Sequence, residues 1–243
     1  MRTASAVAAA PPRVGANDRA FYTGIAIAAA VVVLVGFSRT YFLRPYFETA
    51  PLDIAFHAHG LVFSAWIALF VLQASLVAKR RIDVHRKLGW AGACLAALMV
   101  VVALNAALHG AHRDIAAGYE IESLRFFTTP VLAMAMFASL VAFAVLVRAR
   151  PETHKRLMLL GTISLLDAAV ARWPISGLAD APLAQYAIAD AFIAAAMLYD
   201  FASRRSVSPV YLWGGLAVVV EQWARDALGA TAVWQSLAAK ILE

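Results

Sequence analysis

Charge is scarce in this sequence. Asp, Glu, Lys and Arg make up 15% of its 243 residues, while 63% are hydrophobic. A soluble globular domain carries about 25% charged residues and is about half apolar, so this composition excludes one. Cysteine is almost absent: Cys94 stands alone inside an apolar run, which rules out an intrachain disulfide and a multi-cysteine zinc site. Also missing are a phosphate-cradling glycine loop after a strand, a serine nucleophile elbow and a His-Glu-x-x-His pair. Gly89 and Gly92 lie within apolar runs instead. No catalytic residue is therefore assigned. The formal charge of +6 does not point to nucleic acid, because the positive residues sit between apolar runs, where they report membrane topology.

What the chain has in quantity is long apolar runs, at about 21–37, 54–78, 88–108, 126–147, 157–173, 183–202 and 210–220 or beyond. A run of about 20 residues crosses the hydrocarbon layer as a helix. The pattern predicts an all-α polytopic membrane protein with seven transmembrane helices in one domain, residues 20–243. Residues 1–19, rich in Ala and Pro, read as a disordered cytoplasmic tail. Tyr41, Phe42, Tyr46 and Phe47 fit an interfacial belt. Glu221, Gln222, Arg225 and Asp226 are expected at the outer boundary, paired at i,i+4 as Glu221 with Arg225 and Gln222 with Asp226. The tail and the turns at 79–87, 148–156 and 203–208 hold 14 of the 21 Lys and Arg residues. Their side is predicted to be cytoplasmic, with the N-terminus there and the C-terminus external.

The segment 78–92 returns 69 positions later as 147–161. Arg81, His85, Leu88 and Gly92 fall on Arg150, His154, Leu157 and Gly161, and Asp83 falls on Glu152. The repeat, 69–108 and 138–177, predicts two related helical hairpins forming a central four-helix bundle. Asp83, His85, Glu152 and His154 are read as structural turn residues, the acids accepting from the free amides that open the next helix.

A second histidine set has no counterpart in the other copy. His57, His59, His109 and His112 fall at the external ends of the second and third spans, and imidazoles gathered there could ligate copper, zinc or a haem iron. His59, Trp66 and Gln73 are seven apart and share a stripe, as do Asn105, His109 and His112 at i, i+4 and i+7. Residues two apart on a helix diverge, so His59 is expected to face the bundle and His57 the rim. Asp167 and Asp190 lie at matched depth inside the fifth and sixth spans, where a carboxylate needs a partner. Arg172 is the expected one. Asn105, Asp167, Arg172 and Asp190 are candidates for supporting a ligand or relaying protons.

The motifs HAHG (57–60), DVHRKLGW (83–90), ETHKRLM (152–158) and LLDAAVARWP (165–174) together resemble a widespread group of uncharacterised bacterial inner-membrane proteins, a resemblance that assigns no activity. The His-Lys-Arg-Leu-Met turn is also similar to one in small membrane proteins implicated in maturing haem-copper oxidases. The sequence favours metal or haem binding near the external leaflet, for electron transfer or assembly of a respiratory complex. Two alternatives stand beside it: a proton-coupled small-molecule transporter using Asp167, Asp190 and Arg172, and a structural membrane subunit. The expected partners are the lipid bilayer and a membrane-protein complex or second copy of the chain.

Overall fold

Helix starts follow local capping chemistry. The side chains of Asp53, Ser208 and Thr231 accept hydrogen bonds from the amides of Ala55, Val210 and Trp234, satisfying donors that a helix start leaves free. Pro151, Pro182 and Pro209 occupy first turns, where a missing N–H costs nothing.

The computed structural model of the chain describes residues 15–47 and 51–243. Its helices are α1 (Ala16–Gly36), α2 (Ile54–Ala78), α3 (Ile82–Ala116), α4 (Glu120–Phe126), α5 (Thr128–Leu146), α6 (Pro151–Ile163), α7 (Leu166–Val170), α8 (Pro182–Arg204), α9 (Pro209–Gly229) and α10 (Ala232–Leu242). A π-turn (Ser38–Phe42) and a 3-10 turn (Arg44–Phe47) follow α1. The described residues contain no strand. Most of the predicted tail, residues 1–14, lies outside the described residues; the remainder differs from the expectation, since α1 already begins at Ala16 and Asp18 is buried.

Five segments are long and apolar enough to cross a membrane: α1, α2, α3, α4 with α5 as Glu120–Leu146, and α8. Their outward faces carry exposed Ile27, Val31, Leu34, Leu61, Leu72, Leu98, Val101, Phe143 and Leu198, a surface suited to lipid and costly in water. The other two predicted spans differ from simple apolar helices. The fifth is broken between α6 and α7, where Thr162 donates back to the Met158 carbonyl and Ser164 to the Gly161 carbonyl; such back-bonding competes with the helix ladder. The seventh, α9, runs on through Glu221 and Arg225 to Gly229.

Helices α1 and α3 flank α2, α5 joins α3 to α6 and α9, and α8 closes on α6, α7 and α9. The α6–α7 segment is the most enclosed, with Leu157, Leu159, Leu160, Ile163, Leu166, Ala169 and Val170 all buried. Irregular backbone in a membrane is tolerated where protein surrounds it. Gly36 lets α1 approach so closely that an added Cβ would strike the Ala169 backbone of α7. Beyond α9, α10 packs against α3 and α4, with Trp234 Nε1 donating to the Leu124 carbonyl.

Candidate functional site

Buried charge concentrates on the broken helix and its neighbours. Asp167 of α7 meets the Arg225 guanidinium of α9 and also accepts from the Ala168 amide. Arg225 in turn holds Glu221, one turn back on its own helix, at 2.6 and 2.8 Å. All three are under 10% exposed. Gln222 bridges to Asp190 of α8, its Nε2 donating at 3.1 Å, while its Oε1 is buried without a partner. The Glu221–Arg225 pair agrees with its spacing, and the group faces the helix packing. Gln222 uses Asp190 instead of Asp226.

Arg225 rather than Arg172 makes the direct ion pair with Asp167, on which Arg172 acts from a distance. Arg172 is exposed, donates to the Ala168 carbonyl at 2.6 Å and lies 5.0 Å over the Phe37 ring. Even with Arg172 included, three carboxyl groups (Asp167, Asp190, Glu221) face two guanidinium groups. A low-dielectric setting penalises an uncompensated charge, so this set is neutral when one carboxyl carries a proton. Asp190 is the natural holder, because both other acids contact Arg225 directly. An open cavity of about 380 Å³, lined by Glu122, Arg125, Phe126, Arg225, Asp226, Gly229 and Ala230, adjoins the cluster.

A balanced network closes the opposite end. Asp18 accepts from Lys155 (2.7 Å), Arg204 (2.7 Å) and Tyr199 (2.6 Å). Arg156, almost wholly buried, grips Asp200 with two hydrogen bonds of 2.9 and 2.7 Å and also bonds Glu152. Arg204 adds a contact of 2.6 Å to Glu152. Three acids meet three bases, tying α1, α6 and α8 together, and the Ser208 amide brings in α9 through Asp200. Burial pushes the Glu152 carboxyl up, yet the hydrogen bonds from Lys155 and Arg156 outweigh it and hold the group below the ordinary carboxylate range.

The four histidines predicted to share a ligand each have separate company. His57 is exposed beside Tyr41, whose hydroxyl donates to the His57 carbonyl. His59 is less exposed and stacks on Phe63 with ring centroids 4.1 Å apart. His109 lies 3.1 Å from Asp53 across the α2–α3 mouth, and the Ala55 amide, followed by His109, holds Asp53 below the usual carboxylate range. His112 contacts the Leu242 carbonyl at 2.9 Å. Asn105 is exposed. Among the described residues no three His, Cys, Asp or Glu side chains gather as a metal site.

The turn residues divide. Asp83 pairs at the surface with Arg81 at 3.6 Å, whereas Glu152 belongs to the buried network. His154 Nδ1 lies 2.9 Å from the Ala144 carbonyl, and His85 lies beside it.

Asp200, Arg204 and Asp18 were not singled out from the sequence. Asp200, four residues before Arg204, carries the one available signal: an acid near the end of an apolar run and close to basic residues. The protein is all-helical with several helices fit to cross a membrane. Comparison with family models, curated proteins and solved structures finds no match to this chain.

Proposed function

We propose that the chain is a seven-helix protein of the bacterial inner membrane that moves a small solute together with protons, using Asp167, Glu221, Arg225 and Asp190. The observation that carries this reading is the excess of carboxyl over guanidinium groups where the broken helix meets α8 and α9, with Asp167 and Glu221 buried and Asp190 half-buried. Intramembrane acids of this kind mark proton and ion pathways. A proton on Asp190 neutralises the set; its departure leaves a charge that a bound cation or a helix movement must compensate.

The sidedness of α9 supports seven spans. Leu212, Trp213, Leu216, Val220 and Trp223 are exposed on it, and Glu221, Gln222 and Arg225 are buried, so apolar residues face lipid and polar ones face protein. The enclosed α6–α7 segment supplies the remaining crossing. We read α2–α3 and α5–α6 as the two repeated hairpins of a central bundle. The basic ends are cytoplasmic, placing the N-terminus inside and the C-terminus outside. Reconstituted vesicles containing a trapped pH-sensitive dye test the transport reading: addition of a transported solute should acidify the lumen, and D190N should abolish that signal.

Metal or haem binding for electron transfer or respiratory-complex assembly is the second reading. One observation favours it: His59 Nδ1 is buried without a hydrogen-bond partner. A haem absorption band in purified protein, lost in H59Q, tests it.

A further inference from the structure

His85 and His154 come from turns far apart in the chain, yet their ring centroids lie 6.3 Å apart with planes at 79°. A turn used twice merely to connect helices has no need for its two copies to touch. His154 Nδ1 lies 2.9 Å from the Ala144 carbonyl. A carbonyl only accepts, so this nitrogen carries the proton and, in the neutral ring, Nε2 carries the lone pair. The His85 Nδ1 is shut off from solvent with no hydrogen-bond partner. The His154 imidazole is thus fixed by a carbonyl of the preceding helix with Nε2 left to bind, and His85 beside it offers a buried, unpartnered Nδ1. Carbonyl-fixed imidazoles are how histidine ligands are oriented toward metals.

Neighbouring acids are already engaged. Glu152 serves Lys155, Arg156 and Arg204, and Asp83 turns to Arg81. No third His, Cys, Asp or Glu joins the pair among the described residues. Two nitrogen donors fall short of the four ligands that zinc takes and do not suit oxygen-seeking calcium or magnesium. Monovalent copper is satisfied by two imidazoles in line. With metal–nitrogen distances of about 2 Å and roughly 1 Å from ring centre to nitrogen, such a pair has centroids about 6 Å apart. Rotation about a linear N–Cu–N axis leaves both bonds unchanged, so the angle between the planes is no obstacle. We propose that His85 and His154 form a two-nitrogen site for monovalent copper, at the basic end of the helices and independent of the Asp190 cluster.

The test is anaerobic titration of the purified full-length protein in detergent with Cu(I) against a chromophoric chelator. One equivalent should be retained, X-ray absorption should show two nitrogen neighbours and no sulfur, and H85Q and H154Q should each lose the ion while H59Q keeps it. As a readout that needs no variant, Cu(I) should protect His85 and His154 of the unaltered protein from carbethoxylation mapped by mass spectrometry. Failure to retain copper, retention in either variant, or absence of protection at these two residues overturns the proposal. Loss in H59Q alone would assign copper to the outer histidines instead.

Discussion

Arg225 joins two helices: its guanidinium meets Asp167 of α7 while gripping Glu221 of α9 through two hydrogen bonds. Removing it strands two buried acids, and breaking a buried ion pair from one side costs about 3–5 kcal/mol. R225Q should therefore unfold far more readily than the unaltered protein in a detergent denaturation series. Neutralising both acids in the same chain, as D167N/E221Q/R225Q, should restore part of the loss. A single-variant effect below about 1 kcal/mol, the level of an exposed pair, would contradict the buried arrangement.

Acid should loosen the opposite end. Glu152 has a lowered pKa in the folded protein, so its contribution is present above its unfolded value and is lost as pH falls through the folded one. Melting temperature should drop on acidification through and below about pH 4, the ordinary carboxylate range, and E152Q should flatten that dependence. Stability that rises on acidification would contradict the network. Glu152 is partly exposed, which makes the expected change modest.

Close backbone contact predicts a steric effect at Gly36. G36V would place a branched side chain against Ala169, and overpacking of this kind costs about 1–3 kcal/mol. Thermal scans should show that loss, whereas Gly24, with open space around it, should accept alanine with little change.

Topology has its own check. Reporter fusions should place the N-terminus inside the cell and the C-terminus outside. A cytoplasmic C-terminus would mean that α9 does not span.

The apolar run 54–78 marks α2 to the residue, and Glu221 with Arg225 is legible from spacing, because run length and i,i+4 contacts are local properties. The meeting of Arg225 with Asp167 is not local: it depends on how two separate helices are rotated. A helix apolar on every side leaves its rotation undetermined by the sequence, which is why the four outer histidines could be placed at one end of the chain's hairpin but not oriented. His109 found Asp53, His112 found the α10 carbonyl of Leu242, and Asn105 turned outward. The break after Ile163 was hidden because Thr162 and Ser164, which bond back to helix carbonyls there, interrupt an apolar run only weakly.

One carboxyl group in the Asp167–Glu221–Asp190 set is expected to carry a proton at neutral pH. Infrared spectroscopy of the reconstituted protein reads this directly through the carbonyl stretch of a protonated carboxylic acid, shifted by exchange into heavy water. Such a band should be present in the unaltered protein and lost in D190N, with the fold retained. Absence of the band at neutral pH, or its persistence in D190N, would contradict that expectation.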